Sequence, residues 1–225
     1  MTLDRIQIRV LGALIEKEIA TPENYPLSLN ALVAACNQRS SRDPVMELTE
    51  EEVRQALHSL EDAGLTAVAR DSRVAKYEHR IRTVLNLRRD ETAILCLLFL
   101  RGPQTPGELR SRADRLYSFD GLDAVESTLA RMVASSNGEE HAERPLAVVL
   151  PRQPGSREAR YAHLLGGPIE AGSSSQRLRE PPAVDQVETA ATATRLGELE
   201  MQVAELRAAV ARIEARLEDL RPNEA

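Results

Sequence analysis

The stretch TEEEVRQALHSLEDAGLTAVARDSRVAKYEHRI, residues 49–81, decides the fold. Thr49 and Glu52 stand at capping-box spacing, so each side chain can satisfy the other residue's free backbone N–H at a helix start. Val53, Ala56, Leu57 and Leu60 follow at i, i+3, i+4 and i+7, which is one apolar face of a helix. Gly64 closes that helix as a C-cap. Two short strand candidates come next, Leu65 to Ala69 and Ala75 to Ile81, joined by the turn Arg70-Asp71-Ser72-Arg73.

Upstream of this unit, Leu3 to Ile19 reads as a helix, with Ile8, Leu11, Leu14 and Ile15 on one side, stopped by Thr21-Pro22. A second helix opens at Ser28, a good N-cap, and runs through Leu29, Leu32 and Val33 to about Gln38. A polar stretch, Arg39 to Glu47, leads into the third. Three helices followed by a hairpin is the order of a winged helix-turn-helix.

Downstream the order repeats. Ala93 to Leu100 is the core of a strongly apolar helix. Thr105-Pro106-Gly107-Glu108 is another capping box, with Pro at the first helical position, and opens Leu109 to Leu116. Asp120 is the expected cap of a third helix carrying Val125, Thr128, Leu129 and Met132, which match Val53, Ala56, Leu57 and Leu60 residue for residue. Leu146 to Leu150 and Arg160 to Leu164 form the second hairpin, around Pro154-Gly155-Ser156-Arg157. Ala67-Val68 recurs as Ala147-Val148, and Tyr77-x-His79 as Tyr161-x-His163. Two copies do not make a solenoid. The expected fold class is therefore mainly α with small β-hairpins (α+β): two tandem winged-helix domains, residues 1–83 and 84–170.

Residues 171–183, rich in Gly, Ser and Pro, have linker chemistry. In residues 184–222, Leu196, Leu199, Val203, Leu206, Val210, Ile213, Leu217 and Leu220 alternate in steps of three and four. They fill the a and d positions of a heptad, with Val at two a positions and Leu at three d positions, a choice that favours a parallel dimeric coiled coil. Arg195 at g can pair with Glu200 at e of a second chain, whereas Arg216 and Arg221 would repel. A lone amphipathic helix folded back on the body is the competing arrangement.

Composition narrows the function. The 225 residues carry a formal net charge of −6 and only 3% aromatics, with no Trp. No global basic field draws the chain to DNA, and aromatic stacking platforms for single strands are lacking. Cys36 and Cys96 lie in apolar helical patterns and are expected as buried thiols. No charged-then-apolar leader opens the sequence, and the longest apolar run, Ala93 to Leu100, is too short to span a bilayer. A cytoplasmic address and no membrane contact are expected.

Several motifs resemble the YceH family of uncharacterised bacterial proteins. They are Glu16 to Asn30 (EKEIATPENYPLSLN), Ala35-Cys36-Asn37-Gln38, Arg42-Asp43-Pro44-Val45-Met46, Gln104 to Arg112 (QTPGELRSR), Glu126-Ser127-Thr128-Leu129 and Arg160-Tyr161-x-His163-Leu164. The likeness covers residues 1 to about 165 with the motifs in order. The resemblance implies tandem winged helices, often with a helical tail, in a bacterial cytoplasm; it implies no mechanism.

Three functional classes compete. A winged helix places its third helix in the major groove and its wing along the backbone. The wings suit this, with Arg70, Arg73 and Lys76 in the first and Arg152, Arg157 and Arg160 in the second. Arg39 and Arg42 precede the third helix, and Arg54 lies on it. These nine are the candidate phosphate contacts. The third helices suit it less: Glu50, Glu51, Glu52, Glu61 and Asp62 crowd the first, and Asp120, Asp123 and Glu126 the second. Such acids also favour a helix N-terminus electrostatically. Duplex DNA is the leading partner, with a homodimer through the heptad helix. The alternative is a non-catalytic module whose acidic helix faces bind another, basic protein. The polar group Asn30, Asn37, Gln38, Arg39 and Arg42 could be a recognition surface or could tie its loop down. An enzyme is not expected: His79 and His163 recur in both copies beside Tyr77 and Tyr161, as packing residues would. No Cys or His spacing suits zinc, no Gly-rich loop suits phosphate, and no cofactor is expected.

Overall fold

A computed structural model describes residues 2–69, 74–134, 145–152 and 158–167. All belong to one compact unit, Met1–Ala171. A second unit, Gly172–Ala225, holds the expected linker and heptad helix, and both lie outside the described residues.

The described residues form a mainly helical fold with small antiparallel sheets. α1 spans Arg5–Ala20, α2 Leu29–Cys36 and α3 Glu50–Asp62, with a 3-10 turn at Pro22–Asn24 and a two-residue strand β1, Leu27–Ser28, between α1 and α2. β2 (Thr66–Ala69) and β3 (Lys76–His79) make the hairpin, and β1 adds to the far edge of β3, giving the order β1-β3-β2. A short α4, Ile81–Val84, leads to the second half: α5 (Arg89–Arg101), α6 (Pro106–Ala113), α7 (Leu122–Val133), β4 (Ala147–Val149) and β5 (Tyr161–His163).

Local chemistry explains most of the boundaries. Ser28 caps α2, and Thr49 and Thr105 build complete capping boxes with Glu52 and Glu108. Gly64 adopts φ +72° just past α3, a conformation a Cβ would oppose. One expected cap is corrected. The N-cap of α7 is Gly121, with no side-chain bond, and not Asp120. α1 has a capping box of its own: Asp4 accepts from the Ile6 and Gln7 amides, and Gln7 answers the Asp4 N–H, so α1 starts at Arg5 and not at Leu3.

The two copies of the apolar stripe, on α3 and α7, are fully buried. At roughly 1.5–3 kcal/mol per large aliphatic side chain, each stripe stabilises its half substantially. The core is nevertheless continuous across the boundary at 83/84. α1 packs most extensively on α5, with residues 8–15 of α1 and 92–100 of α5 all buried. Gly12 permits this approach. A Cβ there would lie 2.8 Å from Leu100 Cδ2 and 3.0 Å from Phe99 Cβ. The Cys96 thiol donates to the Gly12 carbonyl at 3.4 Å. Both thiols are free and buried; burial pushes Cys36 up to about 12 and Cys96 well above the usual thiol range.

Candidate nucleic-acid interface

The structure separates the nine candidate phosphate contacts by what already holds them. Arg42 is corrected from surface cation to structural side chain, because it is buried and fully engaged. Its guanidinium donates to Glu16 at 2.6 and 3.1 Å, to the Ala35 carbonyl at 2.8 and 3.1 Å and to Gln38 Oε1 at 3.0 Å. Asn37 ties the other end of the same loop, exchanging two 2.8 Å bonds with the Leu48 backbone. Asn37, Gln38 and Arg42 therefore anchor the connection from α2 to α3, while Asn30 and Arg39 remain exposed.

Buried Arg9 reinforces the same loop from α1, donating to the carbonyls of Cys36 at 3.0 Å and Pro44 at 2.6 Å. Burial, then the nearby Arg42 charge, lowers the Arg9 pKa from its ordinary value.

Arg54 is exposed on α3 but lies between Glu50 and Glu51 one turn back. Arg160 bonds both carboxylate oxygens of Glu108, at 2.9 and 3.2 Å, and the Pro103 carbonyl at 2.8 Å. Burial pushes the Glu108 carboxyl up, but the Thr105 amide and the Arg160 charge outweigh it and hold the group below the usual carboxylate range. Lys76 sits at the turn end of the first hairpin, opposite Ala69, and makes no ion pair among the described residues. Arg39 and Arg152 are exposed and likewise make none. Arg70, Arg73 and Arg157 lie outside the described residues, as do the eight heptad positions Leu196 to Leu220.

Arg80 and Arg82, which belong with Arg70, Arg73 and Lys76 to the basic run read from the sequence, are exposed, with Arg80 3.6 Å from Glu78. The third helices stay acidic. Glu50, Glu51, Glu61 and Asp62 are exposed on α3, and Asp123 and Glu126 on α7. The one arginine of α7, Arg131, is turned onto Asp90 and Glu91 at the start of α5.

The paired histidines are packing residues in two different ways. His79 Nε2 meets Glu18 at 2.9 Å, a hydrogen bond that holds the Glu18 carboxyl below its ordinary value. The Tyr25 hydroxyl accepts the His79 amide at 2.7 Å. His163 stacks edge-on against Phe99, ring centroids 4.9 Å apart, and burial pushes its imidazole down to about 4. Among the described residues no three His, Cys, Asp or Glu converge as metal ligands, and no helix is long and apolar enough to cross a membrane.

A second cationic group was not anticipated from the sequence. Lys17, Arg101, Arg112 and Arg115 line a cavity of about 430 Å³. They come from α1, α5, α6 and the turn after α6, so no local spacing marks them.

The family model described as "Protein of unknown function, DUF480" matches residues 3–156. A UPF0502 protein of Koribacter versatilis is 51% identical over 201 residues, covering 88% of this chain and 87% of its own length. UPF0502 proteins of Azoarcus and of Geobacter sulfurreducens are each 46% identical, over 222 and 205 residues, covering 97% and 91% of this chain and 92% and 90% of their own lengths.

Proposed function

Since the chain belongs to the DUF480 (UPF0502) family of uncharacterised bacterial proteins, we propose that it is a cytoplasmic, non-catalytic DNA-binding regulator built from two winged helices, as YceH-type proteins resemble, and dimerised by its heptad helix. The observation that carries this reading is the topology of the first half. β1 lies between α1 and α2 in sequence and pairs with the hairpin that follows α3, an order that supports the winged-helix reading. The second half supports it with the same design in reduced form. There Gln104, the residue before the α6 N-cap, bridges to Tyr161, just as Leu27, the residue before the α2 N-cap, pairs with Tyr77.

Contact is led by the wing. Lys76, with Arg70 and Arg73 shortly before it in the sequence, offers cations to phosphate, whereas α3 turns carboxylates outward and has its arginine neutralised. Each phosphate neutralised adds about 0.9 to the slope of log affinity against log salt. Fluorescence polarisation of pooled genomic duplexes across a salt series is the test. Neutralising Arg70, Arg73 and Lys76 to Gln together lowers that slope by about 2–3 units if the first wing rides the backbone. An unchanged slope rejects the wing assignment, and no binding even to non-specific duplex at low salt rejects the DNA reading.

The second reading is a protein-interaction module. The ion pairs that hold Arg54 and Arg131 favour it, because they leave the α3 and α7 faces acidic and suited to a basic partner. A blank DNA assay would leave this reading standing.

A further inference from the structure

The 430 Å³ cavity is lined by both apolar and cationic side chains, drawn from the two halves of the unit. Its size is that of a small-ligand site. Ile19 from α1, Leu97 from α5 and Leu116 after α6 supply apolar wall, and Ser40 and Ser41 of the Arg42 loop supply hydroxyls. Glu16 is the one carboxylate of its lining, and that group is taken up by Arg42 at 2.6 Å with Lys17 at 3.9 Å. Among the described residues the Arg101 side chain makes one hydrogen bond, to Ser41 Oγ at 2.8 Å, and no ion pair. Arg112 is held by Gln104 at 2.7 Å and is 3.7 Å from Glu108, a carboxylate that also serves Arg160. Arg115 has no ion pair among the described residues. Burial first, then the neighbouring charges of Arg112 and Arg42, lowers the Arg101 pKa, with Asp43 and Glu16 opposing. Glu16 and Glu108 thus offset part of the positive charge gathered at this concave surface, while Arg101 and Arg115 make no ion pair among the described residues, an arrangement that attracts an anion.

We propose that this cavity binds a small organic phosphate, its dianionic head on Arg101 and Arg115 and its apolar body against Ile19, Leu97 and Leu116. Guanidinium groups suit a phosphate because their planar N–H fork matches two of its oxygens. The aliphatic wall discriminates against inorganic phosphate, which has nothing to place there. Such a ligand would touch α1 and the α2–α3 connection on one side and α5–α6 on the other.

The test is isothermal titration calorimetry of the full chain with phenyl phosphate, and with phenol, benzoate and inorganic phosphate as partial probes. Saturable binding of phenyl phosphate, at least about tenfold tighter than each partial probe, is expected. Arg101→Gln with Arg115→Gln is expected to weaken it at least about tenfold. Arg115→Gln alone, at an exposed side chain outside the core, is expected to weaken it about threefold or more, and it carries the test if the double variant does not fold. Absence of saturable binding up to about 10 mM, equal binding of inorganic phosphate, equal binding of benzoate, or variants that bind as the parent does would each overturn the proposal. No DNA is present in this assay, so its failure and that of the DNA reading are told apart.

Discussion

At the scale of single residues, the duplicated Tyr-x-His pair shows how one motif serves two environments. His79 has a carboxylate partner, while His163 sits against Phe99 with its Nδ1 buried and unpartnered. A histidine whose folded pKa is near 4, against an ordinary 6.5, is neutral in both states above about pH 6.5 and contributes nothing there. As the pH falls from about 6.5 toward 4, the unfolded chain takes up a proton that the folded chain refuses, so stability drops by about 3 kcal/mol in all. Glu18, held below its ordinary value, adds a separate loss at lower pH, as its carboxylate is finally protonated in the fold. His163→Leu is expected to remove the first loss and keep the second. Urea unfolding of both proteins at pH 7 and pH 4.5 checks this, and parallel losses would show that another group refuses the proton. Arg42 teaches the complementary lesson: a polar loop rich in Arg and Asn need not be a surface that recognises anything, because its hydrogen bonds can all be spent inward.

Among elements, the helices were the more legible. Capping boxes and 3.6-residue stripes are local signals, and α2, α3 and α6 start where Ser28, Thr49 and Thr105 place them. The strands were less so, and the equivalence between the two hairpins shifts by one residue. The repeated dipeptides suggest that Ala67 matches Ala147, yet His79 faces Thr66 and His163 faces Ala147. Thr66 and Ala147 are both buried, so the pleat and the core, not the dipeptide, set the register. β1 and α4 left no pattern of their own; two residues that pair only through β3 carry no periodicity to read. Gly12 is similar, an ordinary helical position until α5 arrives. Gly12→Ala is expected to destabilise by about 1–3 kcal/mol, because the new methyl overlaps the Leu100 side chain. Chemical denaturation measures it, and adding Leu100→Val should recover part of the loss if the overlap is the cause. An unshifted midpoint for Gly12→Ala would mean that the two helices can part without cost.

For the whole molecule, the decisive feature is the α1–α5 contact, which joins the two similar halves through one apolar core. Leu3 donates to the Leu165 carbonyl at 2.7 Å, and Asp43 to the Leu100 carbonyl at 2.8 Å, so the backbone also closes across the halves. Residues 1–172 therefore contain the whole compact unit, and truncation after Gly172 is expected to leave it folded and monomeric. Sedimentation equilibrium reads the result. A dimer that survives truncation would move the interface from the heptad positions into the helical body.

The amino-acid order alone determined the three main helices and the hairpin of each half, the caps Ser28, Thr49 and Thr105, the duplicated stripe and the buried thiols, because each depends on neighbours within a turn or two. Only the tertiary structure decided which cations are free, where the second cationic group gathers, how the hairpins align and that the halves share a core. Those outcomes depend on residues dozens of positions apart meeting in space: Glu16 with Arg42, Gly12 with Leu100, Lys17 with Arg115. A local pattern carries no term for such meetings.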